Sequence, residues 1–215
     1  MKARRFLAIV SIALILAYLV KESLGNGDFK VYLDASKMFL EGQNPYNFWF
    51  QLNGNNYCLY YYSPFWAMLL APLSYLPFFV SNLIWCFLNL WFLYRIWIVL
   101  GQYCGSSVEN KQLLSWTLAF SLVFSLRFIL HNFEMLQITL FILWGALESL
   151  ALFNTKRPIA GALLLALVIN VKLLPLVLVP YLFVLREIKS LCLFDSQFHP
   201  FHFAPSNLPW MGFKP

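Results

Sequence analysis

Two oppositely charged side chains beside long apolar runs are the strongest candidates for chemistry in this sequence. Asp28 follows Asn26-Gly27 at the start of a charged island, and Lys172 ends an apolar run. A carboxylate can take a proton from an acceptor hydroxyl, and a nearby cation can stabilise the charge of a departing phosphate. Together the two groups would permit glycosyl transfer from a lipid phosphate sugar at a membrane surface.

Each of the two candidates also has an ordinary structural explanation. Asp28 stands where a helix N-cap is expected, and backbone N–H groups at a helix N-terminus favour the charged carboxylate. Lys172 lies where an apolar segment ends, so its side chain could extend to the membrane interface. Lysine within a span costs about 2.5–3.5 kcal/mol on insertion scales and commonly marks a functional cavity. For each residue, the functional explanation and the structural explanation both stay open.

A second polar cluster separates two apolar runs between Arg127 and Gln137. Its polar residues are Arg127, His131, Asn132, Glu134 and Gln137. We predict that this cluster is a turn between two membrane spans. Such a turn needs hydrophilic residues in any case, so His131 and Glu134 also have a purely structural explanation.

Composition identifies an integral membrane protein. The 215 residues are 61% hydrophobic and only 11% charged, more apolar surface than a soluble core could hide. The formal net charge of +6 comes from scattered basic residues, which fits contact with membrane lipids and not with nucleic acid. The sequence contains no Gly-rich phosphate loop and no paired-Cys metal motif, so neither a cofactor nor a metal site is predicted. A carboxylate beside cations neither requires nor excludes a metal ion.

We predict an all-α, polytopic membrane helix bundle with about six transmembrane helices. The predicted spans are residues 6–20, 79–100, 113–126, 138–153, 159–171 and 173–185, with a short interfacial helix over 65–76. Basic residues before the first span predict a cytoplasmic N-terminus. The alternation of spans then places Asp28, the 127–137 cluster and Lys172 on one outer face.

The island after the first span predicts an amphipathic helix in the first outer loop. One stripe of this helix is apolar and the opposite stripe is charged; the stripes are Val31, Ala35, Met38 and Phe39, and Lys30, Asp34, Lys37 and Glu41. Gly42 and Asn44-Pro45 stand where the helix should end. We expect this helix to lie along the membrane surface. The charged stripe could also be a solvated face with ion pairs four residues apart.

An ordered series of motifs resembles the opening of glycosyltransferase family 87. The motifs are Gly27-Asp28-Phe29-x-Val31-Tyr32, Gly42-x-x-Pro45-Tyr46, Tyr62-Ser63-Pro64, Leu70-Ala71-Pro72-Leu73, Gln137-x-Thr139, Gly161 and Lys172-x-x-Pro175. This family belongs to the GT-C superfamily and is typified by mannosyltransferases that use polyprenyl-phosphate mannose outside the bacterial plasma membrane. The resemblance covers roughly residues 5 to 189, the N-terminal portion of such an enzyme.

The resemblance implies a role for each candidate residue. Asp28 becomes the candidate general base, while Lys172, the residues of the 127–137 cluster and Tyr32 become candidates for contact with the donor phosphate. The implied partners are a polyprenyl-phosphate sugar donor, a lipid or glycan acceptor and membrane lipids. The expected location is the plasma membrane, with multiple spans.

Two other interpretations remain open on the sequence alone. The chain could be a non-enzymatic transporter or structural subunit in which Asp28 and Lys172 only terminate helices. It could also keep the outer face and lack later spans, in which case it would insert into the membrane and transfer little sugar. We expect residues 1–189 to form the membrane module and residues 190–215 to form an irregular tail.

Overall fold

A computed structural model describes residues 2–52, 56–105, 111–155 and 157–184. The α-helices in chain order are α1 (Lys2–Ser23), α2 (Asp28–Leu40), α3 (Pro64–Ser74), α4 (Phe78–Gly105), α5 (Lys111–Glu134), α6 (Thr139–Asn154) and α7 (Pro158–Val171). A 3₁₀ turn, Leu174–Val177, opens a last apolar helical segment, Leu174–Val184. The predicted helical fold class is therefore confirmed. The predicted tail, residues 190–215, lies outside the described residues.

Three of the described helices are long and apolar enough to cross a membrane: Arg4–Ser23, Phe78–Tyr103 and Gln112–Glu134. The other predicted spans correspond to shorter apolar helices, namely Thr139–Asn154, Pro158–Val171 and Leu174–Val184. The helix predicted over residues 65–76 is Pro64–Ser74, capped by the Ser63 hydroxyl. The membrane protein class follows from these helices, and the total of six spans stays a prediction.

The 127–137 cluster is not a turn, contrary to the prediction. Helix α5 runs on to Glu134, about two turns beyond the predicted end at Leu126. The polar side chains from Arg127 to Glu134 therefore lie on a helix, and the change of direction falls at Met135–Ile138. A helix satisfies its own backbone hydrogen bonds, so a few polar side chains do not end it within an apolar surrounding.

A small β ribbon follows α2 and was not predicted. β1 (Phe50–Gln51) pairs antiparallel with β2 (Tyr57–Cys58), with Phe50 opposite Cys58. The Nζ of Lys30 donates to the main-chain oxygen of Gln51 at 3.4 Å, which connects the ribbon to α2.

Helix α2 is more deeply packed than a surface helix. Val31 and Ala35 of its apolar stripe are buried, and Phe29, Tyr32, Leu33 and Ser36 are buried as well. The Ser36 hydroxyl donates to the carbonyl oxygen of Ala67 in α3 at 2.7 Å. On the opposite stripe Asp34 is half-buried and Lys37 is exposed. Helix α2 is therefore a core element of the fold, and its position along a membrane surface stays a prediction.

Aromatic rings from α2, α3, α4 and α6 form the centre of the packed core. Trp85 of α4 stacks on Phe29 with ring centroids 4.9 Å apart, and Trp66 of α3 stacks on Phe141 of α6 at 5.4 Å. Trp66 and Trp85 meet edge to face at 5.8 Å. Aromatic pairs at such distances contribute about 0.5–1.5 kcal/mol each beyond the area they bury.

Polar contacts and a glycine fix the helices against one another. Asn82 of α4 donates to the carbonyl oxygens of Ser23 and Gly25 at 3.0 and 3.1 Å, next to the end of α1. Arg95 of α4 forms an ion pair with Glu148 of α6. A Cβ added to Gly145 would lie 2.3 Å from Cγ1 of Val168, so α6 and α7 pack closely because this residue is glycine.

Candidate functional site

Asp28 is the first residue of α2, and its backbone is bonded to the turn between α5 and α6. Gly27 is the N-cap, and no side chain caps the helix. The N–H of Asp28 donates to the carbonyl oxygen of Met135 at 2.7 Å. A Cβ on Gly27 would lie 2.3 Å from that same oxygen, so only glycine fits here. The interpretation of Asp28 as an N-cap residue was therefore wrong, and its carboxylate is available for other contacts.

The turn that receives Asp28 ends α5 in a Schellman arrangement. The N–H of Leu136 donates to the oxygen of Phe133, and the N–H of Gln137 donates to the oxygen of Asn132. Leu136 has φ 49°, in the left-handed region where glycine is usual. Its side chain is fully buried. The turn thus holds Gln137 in a fixed direction at the cost of local backbone strain.

Gln137, His131 and Lys172 act on the carboxylate of Asp28. The side-chain amide of Gln137, the imidazole of His131 and the ammonium group of Lys172 each favour its charged form. These residues come from the start of α2, the end of α5, the α5–α6 turn and the end of α7. The predicted convergence of distant polar residues is therefore present in the structure for Asp28, His131, Gln137 and Lys172.

The pKa of the Asp28 carboxyl is raised above its ordinary value of 3.8. Burial raises it, while the Gln137 hydrogen bond, His131 and Lys172 lower it by a smaller amount. The sequence predicted the opposite direction, because a helix N-terminus favours the charged carboxylate. Desolvation of the half-buried carboxylate exceeds that effect. A raised pKa brings a carboxylate closer to the range that suits a general base.

A pair of tyrosines forms the neighbouring wall. Tyr32 is 2% exposed, and its hydroxyl donates to the hydroxyl oxygen of Tyr62 at 3.0 Å. Burial raises the pKa of Tyr62, and the hydrogen bond from Tyr32 lowers it in part. The proton of Tyr62 must point away from Tyr32, because the Tyr62 oxygen is the acceptor in this bond. Tyr32 therefore supports the site from within, and Tyr62 carries the more accessible hydroxyl.

Lys172 follows the last residue of α7 in an extended conformation. Its side chain is exposed, and its Nζ lies 6.0 Å from the centroid of the Tyr62 ring. The Ser63 hydroxyl donates to the side-chain oxygen of Asn170 at 3.0 Å, which connects the end of α7 to the start of α3. Lys172 thus lies beside the tyrosine wall, on the same side of the site as Tyr62.

The other predicted residues on α5 lie outside this convergence. Glu134 is exposed and forms an ion pair at 3.5 Å with His131, which is also exposed. Asn132 is buried, and its Nδ2 donates to the side-chain oxygen of Asn89 in α4 at 3.2 Å. Arg127 is exposed one turn before His131, about 6 Å along the axis. Asn132 therefore connects two helices, and Arg127 is set back from the carboxylate.

Tyr62 is the functional candidate that sequence reasoning missed. It appeared only as part of a motif, Tyr62-Ser63-Pro64, and no periodicity placed its ring beside Lys172. The carbonyl oxygen of Met135 was also missed, since backbone groups have no sequence signal. In the part of the chain that the structure describes, no group of three His, Cys, Asp or Glu side chains could hold a metal ion.

The chain matches the model of a known protein family. The profile of glycosyltransferase family 87 matches residues 60–194. The matched segment contains Tyr62, Gln137 and Lys172, whereas Asp28 and Tyr32 precede it. No curated protein and no solved structure matches the chain.

Proposed function

Because the chain belongs to glycosyltransferase family 87, we propose that it transfers a sugar from a polyprenyl-phosphate donor to a hydroxyl group of a lipid or glycan acceptor. The family assigns sugar transfer by a membrane protein as the class of activity. The finer statement concerns the donor and the residues that act on it. It rests on a single observation: the N–H of Asp28 is bonded to the turn that carries Gln137, and the charge of Lys172 acts on its half-buried carboxylate.

Asp28 acts as the general base in this proposal. Its carboxylate takes the proton of the acceptor hydroxyl while the acceptor oxygen forms a bond to the anomeric carbon of the donor sugar. The bond between that carbon and the phosphate oxygen breaks, and polyprenyl phosphate leaves with the electron pair. Burial raises the pKa of Asp28, which makes the carboxylate a stronger base than an exposed aspartate.

Lys172, Tyr62 and Gln137 receive the donor phosphate. The ammonium of Lys172 and the Tyr62 hydroxyl lie on one wall, where they can stabilise negative charge as it develops on the leaving phosphate. The imidazole of His131, which pairs with Glu134 at 3.5 Å, is a further contact for the phosphate. Arg127 adds a further exposed positive charge on α5. Tyr32 and Asn132 support these residues from buried positions.

An apolar cavity suits the isoprenoid part of the donor. It has a volume of about 390 Å³ and lies between α4, α5 and α6. Its lining includes Ile129, two residues before His131, and Leu140, three residues after Gln137. Two of the helices that line it, α5 and α6, flank the turn that carries Gln137. Its lining is almost entirely aliphatic and aromatic, as a hydrocarbon chain requires.

We place the site on the extracytoplasmic face of the plasma membrane, with the N-terminus in the cytoplasm. The basic residues before the first apolar helix support this orientation. We infer a hexose as the transferred sugar, and resemblance to the family points to mannose.

A transfer assay tests the proposal. Membranes that contain the chain, or the chain joined to the C-terminal half of a family member, are given labelled sugar on polyprenyl phosphate or on a nucleotide. We expect transfer from the lipid donor, and a large loss in a Lys172→Met variant. Transfer from the nucleotide sugar alone would contradict the proposed donor. No transfer by either chain, together with solute flux in vesicles, would favour a transporter.

A further inference from the structure

We propose that Trp85 is a positioning residue for sugar transfer: its indole N–H holds the α5–α6 turn in the conformation that brings Gln137 to Asp28. The inference rests on the proposed function, since it concerns the same site. Trp85 lies on α4, outside the set of polar residues that the mechanism uses, and its side chain is 2% exposed.

The first support is a buried hydrogen bond to the turn. The Nε1 of Trp85 donates to the carbonyl oxygen of Leu136 at 3.2 Å. Leu136 is the residue with φ 49°, a conformation that side chains branched beyond Cβ rarely adopt without support. The bond therefore acts on the residue directly before Gln137, in the turn that carries it.

The second support is that the same ring contacts the other partner of the pair. Trp85 stacks on Phe29 with centroids 4.9 Å apart and an interplanar angle of 10°. Phe29 follows Asp28, and Leu136 precedes Gln137. One side chain thus touches the immediate neighbours of both members of the Asp28–Gln137 pair.

A matched control is available in the same core. Trp66 is 1% exposed, and its Nε1 is buried without a hydrogen-bond partner among the described residues. Trp66→Phe therefore removes a buried indole without removing a hydrogen bond. Trp85→Phe removes a similar ring area together with the bond to Leu136. The difference between the two variants isolates the effect of the bond.

The first test is the pH profile of transfer. The groups that act on Asp28 or respond to its charge are Tyr32, Cys58, Tyr62, His131 and Lys172. In Trp85→Phe we expect kcat to fall by about 10- to 100-fold with little change in KM for the donor. The acidic limb should move to higher pH, because Gln137 no longer lowers the pKa of Asp28. Adding Gln137→Met should produce no further shift. An unchanged limb in Trp85→Phe, or an equal shift in Trp66→Phe, would overturn the proposal.

The second test does not need sugar transfer. In a background with the native cysteines replaced by serine, Asp28→Cys and Gln137→Cys report the distance between the two positions through the rate of disulfide formation. We expect the two cysteines to cross-link rapidly when Trp85 is retained, also in the Trp66→Phe variant. In the Trp85→Phe variant we expect slow cross-linking. Equal rates in all three would overturn the positioning role. If this cross-linking pattern is found and the unmodified protein transfers no sugar, the positioning role of Trp85 stands and the proposed function is wrong.

Discussion

The main-chain N–H of Asp28 donates to the carbonyl oxygen of Met135 at 2.7 Å, so the first residue of α2 is attached to the turn that carries Gln137. This bond satisfies one of the N–H groups that a helix start leaves unpaired. It also brings the carboxylate next to residues more than a hundred positions later in the chain. The candidate site therefore depends on how α2 docks on the α5–α6 turn.

Gly27→Ala should disturb this docking. The added methyl group would lie 2.3 Å from the Met135 oxygen, a distance that requires the backbone to move. We expect a loss of about 1–3 kcal/mol in the free energy of unfolding, together with reduced transfer. The measurement is thermal unfolding of the protein in detergent. Gly101→Ala is the control, since nothing lies within 4 Å of its added Cβ. Equal unfolding temperatures for the two variants would contradict the close approach.

The pH dependence of transfer should follow the ionisation of Asp28. The carboxylate must be deprotonated to act as a base, so activity is lost as pH falls through the raised pKa, which lies above 3.8. Lys172→Met removes a charge that lowers this pKa, so the acidic limb should move to higher pH. Lys37→Met is the control, because the charge of Lys37 acts on Asp34. A limb that stays in place in Lys172→Met would show that Lys172 is remote from the base.

The tyrosine pair should show coupling in unfolding experiments. Tyr62→Phe removes the acceptor of the buried Tyr32 hydroxyl, and we expect it to cost about 1–3 kcal/mol. The double variant Tyr32→Phe/Tyr62→Phe should cost less than the sum of the single variants, because no hydroxyl is then left unpaired. Chemical or thermal unfolding of the four proteins gives the coupling energy. Strict additivity would mean that the bond does not form in solution.

The Arg95–Glu148 pair offers a test of how α4 and α6 pack. The side chains are 33% and 14% exposed, so removing one partner leaves a partly desolvated charge. We expect Glu148→Gln to lower the free energy of unfolding by about 1–3 kcal/mol, less than for a fully buried pair. Arg95→Met/Glu148→Met should recover part of this loss. If the double variant is less stable than Glu148→Gln, the pair contributes more than charge compensation.

Most of the fold could be predicted from the pattern of hydrophobic residues and from the glycine and proline residues that mark helix starts and ends. Ser63-Pro64 and Pro158 mark helix starts that the structure confirms, and Gly42, with φ 73°, ends α2 as predicted. The end of α5 could not be predicted, because polar residues such as His131 read as a turn although the helix continues. The left-handed backbone conformation of Leu136 could not be predicted either, because glycine, which usually marks such a position, is absent there.

The candidate site could be predicted only in part. Asp28 and Lys172 stood out because charge is rare in this sequence, and the alternation of helices brought them to one face. The direction of the Asp28 pKa could not be inferred, since it depends on burial against residues far away in the chain. The hydrogen bond between the Tyr32 and Tyr62 hydroxyls could not be predicted for the same reason.

The measurement that tests the central claim most directly is transfer from a polyprenyl-phosphate sugar by Asp28→Asn and Asp34→Asn variants. Both aspartates lie on α2, are half-buried and have a pKa raised by burial, but Gln137 and Lys172 act only on Asp28 of the two. We predict that Asp28→Asn loses about 10²- to 10⁴-fold in kcat and that Asp34→Asn stays close to the unmodified protein. Undiminished transfer by Asp28→Asn would contradict the assignment of Asp28 as the base.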